Sequence, residues 1–247
     1  NITSVVCQNG ERYSAGKYIW AAHPSELLRV MPAGVFTKAY TRRVSSVKPT
    51  CSAFSLFIEL KPETFRYIDH TCYIHDDMVE AWNLAAVDEN GVPCGFMYMT
   101  PPVENQGEYA CKLLATALMD YKQVEMWDDT VTGHRPDDYY VWKNKVADGI
   151  VDKISRIHPE LRHCIKSLYT ASPLTIRDYY HSPRGSVYGF SKDSDNLMES
   201  QLPIVTKVRN LYLTGQCINL HGMCGVPLTA LTTAEAILYP TQILHCL

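Results

Sequence analysis

The stretch that most constrains this chain is residues 210–238, NLYLTGQCINLHGMCGVPLTALTTAEAIL. Leu211, Tyr212 and Leu213 make a short apolar strand, Gly215 turns the chain, and a second glycine run, Gly222-Met223-Cys224-Gly225, opens a helix of Ala, Leu and Thr. A strand, a glycine loop and a helix start together form a seat for an anionic group. Glycine lets the backbone approach a ligand with no Cβ in the way, and the first helical N–H groups point outward at the positive end of the helix dipole. Such a loop can also simply turn the chain. No Gly-Lys-Ser/Thr follows it and no G-x-G-x-x-G occurs in the sequence, so the chain carries no nucleotide-binding fingerprint of its own.

The rest of the chain supplies strands and helices to surround this stretch. Residues 4–8 and 13–21 read as strands joined by the Asn9-Gly10 hairpin turn, and Ser25 to Leu28 as a capped helical turn. Residues 29–48 read as helix and loop, with Arg42 and Arg43 on a solvated face. Residues 51–60, 67–75 and 94–100 alternate and are rich in aromatics, as strands require. Residues 76–86 place Met78, Val79, Trp82 and Leu84 at helical spacing, and 137–157 is the clearest helix, with acidic residues in its first turn and Pro159 beyond its end. A short helix is expected over 160–167. Residues 109–119 are helix formers with strand-like flanks and stay ambiguous on propensity alone. The pattern implies an α+β architecture, a mixed, largely antiparallel sheet with helices on one side, since strand and helix do not alternate regularly enough for a doubly wound parallel sheet.

Composition removes several classes of function. In 247 residues, 46% are hydrophobic and 20% charged, no apolar run is long enough to span a bilayer, and the formal net charge is -3 with both signs interspersed. There is no basic stripe for nucleic acid. Any membrane contact is therefore peripheral. Nine scattered cysteines, an odd number, cannot all pair within the chain, and point to reduced thiols in a cytoplasmic setting.

Chemistry-bearing residues gather in two places. Residues 172–189 concentrate Tyr, His, Arg and Gly, a mixture that lines pockets because rings supply apolar wall while Arg or His fixes a polar end; it serves equally well as a loop over a core. Tyr179, Tyr180, His181 and Tyr188 are its candidates for a substrate pocket. Cys217, His221 and Cys224, with His245 and Cys246, are soft ligands at short spacing, but there is no CxxC pair and buried thiols are the better reading, so no metal is expected. The paired carboxylates Asp76-Asp77, Asp128-Asp129 and Asp137-Asp138 read as caps and solvated turns. No G-x-S-x-G elbow is present, and no catalytic residue is identified.

At these two places the sequence resembles a known family. Pro173-Leu174-Thr175, Tyr179, Pro183-Arg184-Gly185, Tyr188-Gly189, then Asn210 through Gln216, Gly222, Gly225 and Ala236-Ile237-Leu238 resemble the FAD-dependent phytoene desaturase and carotenoid isomerase group, nearest to its retinol saturase branch. The hairpin running to Ala21-Ala22-His23-Pro24 is similar too. The resemblance is strongest over the last third of the chain. It implies a fold like the flavin amine oxidases, with residues 1–46 belonging to the FAD-domain hairpin and linker, 47–169 to a substrate-binding lobe, and 170–247 returning to the FAD domain. The family's N-terminal βαβ unit is not in this sequence, which starts at Asn1 rather than Met, so the resemblance implies the carboxyl half of a longer protein whose partner is its FAD-binding half. It also favours strand over 109–119.

By the same resemblance, Gly215, Gln216, Gly222, Met223, Gly225 and Val226 would face the FAD pyrophosphate and flavin, although this chain alone would not hold FAD tightly. The branch carries an acidic residue after the Gly-Gln pair, where this chain has Cys217. The implied chemistry is hydride transfer between the flavin and an apolar isoprenoid or polyene, adding or removing hydrogen across a carbon-carbon bond, with the aromatic strands as walls and His181, Tyr188 or His221 as proton sources. The alternative is a non-catalytic module that binds a lipid or isoprenoid without flavin.

Overall fold

The computed structural model describes residues 1–238 apart from Val79 and Asn105. In chain order the elements are β1 (Val5–Val6), β2 (Arg12–Tyr13), β3 (Tyr18–Trp20), α1 (Pro24–Val30), α2 (Lys38–Ser46), β4 (Ser52–Leu60), β5 (Cys72–His75), β6 (Gly95–Met99), β7 (Lys112–Met119), α3 (Asp137–Ser155), α4 (Leu161–Cys164), β8 (Ile165–Ala171), α5 (Pro173–Tyr180), α6 (Leu197–Ser200), β9 (Leu211–Leu213) and α7 (Gly222–Leu238). They form two compact units, one of residues 1–50 with 188 onward, the other of residues 51–187. Among the described residues no helix is long and apolar enough to cross a membrane.

The second unit is built on a five-stranded sheet of order β5-β6-β7-β4-β8, antiparallel throughout. Strand alternation sends Phe54, Leu56, Ile58 and Leu60 of β4, Phe96 and Tyr98 of β6, and Leu113, Ala115, Ala117 and Met119 of β7 to one face. There they bury against Val146, Ala147, Ile150, Val151 and Ile154, the apolar stripe of α3. Ile150 and Ile154 are fully buried. Asp138 in the first turn of α3 accepts a hydrogen bond from Trp127 Nε1 at 3.1 Å.

The first unit centres on a parallel two-stranded ladder in which Tyr18, Ile19 and Trp20 pair with Leu211, Tyr212 and Leu213. Leu27, Val44, Phe190, Leu211, Leu213 and Ile218 form its core. His23 caps α1, its Nδ1 taking the Ser25 N–H at 3.2 Å, while its ring packs edge-on to Phe190 at 4.8 Å.

Several expected elements differ. The strand expected over 13–21 is two short pieces, because β2 pairs with β1 whereas β3 pairs with β9, nearly two hundred residues away. The helix expected over 76–86 is only a single 3-10 turn, Glu80–Trp82, with Trp82 89% exposed. Helical spacing without a surface to bury the stripe does not make a helix. The helix expected over 160–167 ends at Cys164, and β8 then pairs with β4 across a bulge between Glu59 and Leu60. Residues 112–119, rich in helix formers, are the centre of the sheet, since pairing on both edges overrides propensity. The expected mixed sheet is an antiparallel one, the parallel pairing standing apart in the first unit.

Candidate functional site

The glycine stretch of the first unit divides into a packed half and an open half. Thr214 N donates to the Trp20 carbonyl at 3.0 Å, which continues the ladder, and Gly215 then turns at φ +93, where a Cβ would lie 3.3 Å from the Ala21 carbonyl. Gln216 is half-buried and Cys217 is buried. Burial pushes the Cys217 thiol up to about 11, so it is neutral. A Cβ on Gly189 would lie 2.5 Å from the Cys217 Sγ. The glycine of the Tyr188-Gly189 motif is therefore matched to the thiol that stands where the resemblance expects an acidic residue.

Helix α7 is tied to β9 by buried Thr233, whose Oγ1 donates toward the Leu213 carbonyl at 3.1 Å, while buried Thr229 Oγ1 donates back within the helix to the Gly225 carbonyl at 2.9 Å. A Cβ on Gly225 would lie 2.5 Å from Leu220 Cβ, so this glycine lets Leu220, just before the helix, pack against the helix's first turn. Gly222 is different. At φ +81 a Cβ there would project into open space. Met223 beside it is 94% exposed, and Val226 is exposed as well. No carboxylate sits in the first turn to repel an anion, and Pro227 has no N–H for the Met223 carbonyl four residues back. An open helix start with no Cβ at Gly222 and Met223 exposed beside it fits the phosphate-bearing cofactor that the resemblance implies. His221, immediately before it, lies against the Tyr188 ring with centroids 5.0 Å apart and the planes tilted by 37°.

The segment 172–187 belongs to the second unit and is more structural than its composition suggests. Ser172-Pro173-Leu174-Thr175 is a helix start: Ser172 and Thr175 form a capping box with Pro173 in the first turn of α5. Tyr139 Oη and Ser172 Oγ share a buried hydrogen bond at 2.7 Å. Arg177 donates to Asp178 at 2.7 Å, to the Thr130 carbonyl at 2.6 Å and to Asp128 at 2.8 Å. Arg135, with its side chain 3% exposed, also pairs with Asp178, and Tyr121 donates to Asp128. Burial works against the Asp178 carboxylate, but hydrogen bonds from Thr132 and Arg177 hold it below the usual range. Arg177 is thus not the polar end of a pocket; it stitches residues 121–135 to α5. Asp128 and Asp76, read as caps and solvated turns, also carry partners: Asp128, still 58% exposed, pairs with Arg177, and Asp76 with the buried Lys153. Tyr179 and Tyr180 stand exposed at the end of α5, and His181 closes it at φ 52, its N–H reaching the Arg177 carbonyl at 2.9 Å. Gly185 turns at φ +59 because a Cβ would run into the Pro173 carbonyl oxygen. Tyr188 lies in the other unit, with His221.

Sequence patterning alone left the sheet's second face unassigned. It presents Phe57 of β4, Leu114 of β7, Met99 of β6 and Tyr169 of β8 in one row, each paired with the next across the ladders. Tyr73, Met97, Thr116, Ser55 and Ala171 make the adjoining row. Phe57 is 45% and Tyr169 68% exposed, so large apolar side chains stand open on a rigid sheet. The aromatic strands therefore split: Phe54, Phe96 and Tyr98 are core, and Phe57, Met97 and Met99 lie on the second face. Counting by twos along each strand was the signal that separates them.

Among the described residues no group of three or more His, Cys, Asp or Glu side chains could hold a metal ion, and the described cysteines are free thiols. His245 and Cys246 lie outside the described residues.

No family model matches the chain. Curated proteins do. It is 31% identical over 133 residues to the all-trans-retinol 13,14-reductase of Danio rerio, covering 51% of this chain and 21% of that protein. The protein of the same name from Homo sapiens is 33% identical over 121 residues, 48% of this chain and 20% of its own length. That from Rattus norvegicus is 26% identical over 213 residues, 80% of this chain and 35% of its own length. The chain thus spans about a fifth to a third of the curated relatives it matches. It is similar to all-trans-retinol 13,14-reductases, the retinol saturase branch that its motifs resemble.

Proposed function

We propose that these residues supply the substrate lobe and the flavin-facing segment of a flavin-dependent oxidoreductase that adds hydrogen across a carbon-carbon double bond of a retinoid, on a fold of the flavin amine oxidase kind. The observation that carries the reading is the open apolar row of Phe57, Leu114, Met99 and Tyr169 in a chain similar to retinol 13,14-reductases. A polyene needs wall area and alignment more than charge, and a sheet holds such a wall to a fixed geometry.

In this reading the nucleotide-binding half of the family lies outside these residues, and residues 215–226 bring backbone to the cofactor. FAD, when bound, supplies hydride transfer. The chain's own residues do the rest. Gly222 leaves room for close approach, the first N–H groups of α7 face the negative charge, and the sheet row positions the polyene and keeps water from it. Within the flavin-facing unit, Tyr188 and His221, whose tilted rings lie 5.0 Å apart, are the groups that would supply a proton.

The test is the complete reading frame, purified and examined for flavin absorbance and for conversion of all-trans-retinol to its 13,14-dihydro product. Stoichiometric flavin with product formation is expected. A colourless protein that still binds retinol would show instead a carrier module without redox chemistry.

A further inference from the structure

On the open face, next to the apolar row, two hydroxyls stand together: Ser55 Oγ and Thr116 Oγ1 share a hydrogen bond at 3.1 Å, and both residues are half-buried. Ser55 precedes Phe57 by two positions on β4, and Thr116 follows Leu114 by two on β7, so the pair adjoins the row on the same side of the sheet. Met97 flanks Thr116 and Ala171 flanks Ser55 in the ladder. The pair stands beside the two inner members of the row, Phe57 and Leu114, so a polyene held there by its terminus overlies one half of the row rather than its whole length.

Two hydroxyls bonded to each other use one proton and one lone pair, which leaves one donor and three lone pairs. An alcohol both donates and accepts, so it satisfies this pair in both senses. An aldehyde can only accept, and a carboxylate would bring a charge onto an apolar surface.

We propose that Ser55 and Thr116 are the specificity-determining seat for the terminal hydroxyl of the polyene, and that they select an alcohol over the corresponding hydrocarbon and acid. This rests on the reading of the sheet face as the retinoid wall. The two residues position the ligand and take no part in the chemistry.

The experiment measures binding by the full chain, with no flavin required. Retinol, the hydrocarbon in which its CH2OH is replaced by CH3, and retinoic acid are titrated into the parent, Ser55→Ala/Thr116→Val, Thr116→Ser and Phe57→Ala, each first shown to be folded by circular dichroism. The parent should prefer retinol. The double variant should bind retinol about 3- to 10-fold more weakly, the worth of one net hydrogen bond, while its affinity for the hydrocarbon stays within about twofold. Thr116→Ser should keep the preference for the alcohol, and Phe57→Ala should weaken retinol and hydrocarbon alike. Unchanged retinol affinity in the double variant, or equal loss for both ligands, overturns the seat while leaving the wall standing, provided Phe57→Ala still weakens both. A parent that binds neither ligand overturns the wall and the seat together.

Discussion

Gly189→Ala tests whether the Tyr188-Gly189 motif exists to accommodate Cys217. Gly189 sits at φ +73, and an added Cβ would lie 2.5 Å from Cys217 Sγ, 3.3 Å from its Cα and 3.4 Å from its Cβ. The backbone has little freedom to retreat, since the Gly189 carbonyl accepts from Thr50 N at 2.8 Å and Phe190 bridges to Pro49. The left-handed conformation costs alanine about 1–2 kcal/mol. Overlap with a packed side chain adds about 1–3 kcal/mol, so the single variant should lose about 2–5 kcal/mol in all. Cys217→Ala alone removes one buried heavy atom, at about 1 kcal/mol. In the double variant the sulfur is gone and the remaining approaches are tight but tolerable. The overlap should then vanish and only the backbone cost remain, a coupling of about 1–3 kcal/mol. Because burial keeps the thiol protonated, with its pKa pushed up to about 11, the coupling read near neutral pH is steric rather than electrostatic. The assay is urea unfolding of the parent, both single variants and the double variant, followed through the amide resonances of Leu211, Tyr212 and Leu213 so that the first unit alone is read. Single-variant costs that add to within about 0.5 kcal/mol would refute the argument.

Gly222→Ala and Gly225→Ala should separate ligand space from packing. Gly222 has open space beside it, so its variant should cost only about 1–2 kcal/mol for positive φ yet reduce the flavin-to-protein ratio of the complete protein, measured by absorbance; an unchanged ratio assigns the loop a purely structural part. Gly225→Ala should unfold the first unit more readily, because Leu220 occupies the position a Cβ would need. Burial lowers the His23 pKa from 6.5 to about 4, against the opposing pull of Glu26. The unfolded state therefore binds the extra proton between these values, and stability of the first unit should fall by about 3 kcal/mol as pH drops through that window, a slope that His23→Gln should flatten in pH-dependent unfolding. Phe54 and Phe57 point to opposite faces of β4. Phe54→Ala should cost about 3–5 kcal/mol in denaturant melts and Phe57→Ala about 1 kcal/mol; similar losses for the two would mean the second face is core.

How legible each feature was depended on whether its cause is local. Asn9-Gly10 and the acidic first turn of α3 are short-range signals, and the structure carries both. The Gly222 helix start was legible for the same reason. The Ser172-Pro173 helix start is just as local, yet composition there pointed to a pocket or a loop. Met78 and Trp82 misled, because helical spacing announces a face without announcing a surface to bury it. Residues 112–119 and 165–171 were obscured because propensity is weak beside a ladder on each edge or a distant strand. Arg177 gave the impression of a pocket because nothing nearby in sequence reveals Asp128, Thr130 and the buried Arg135.

By itself the sequence determined the class of architecture, the glycine-opened start of α7 and the resemblance to retinol saturases, since each is written in local residue types and spacings. Tertiary structure alone decided which aromatics are core and which stand on the open face, that Gly189 and Gly225 serve packing while Gly222 faces open space, and that Ser55 meets Thr116. Those facts depend on which distant backbone each strand pairs with and which face the helix α3 covers, and pairing across 61 residues, as between Ser55 and Thr116, leaves no mark on the residues between.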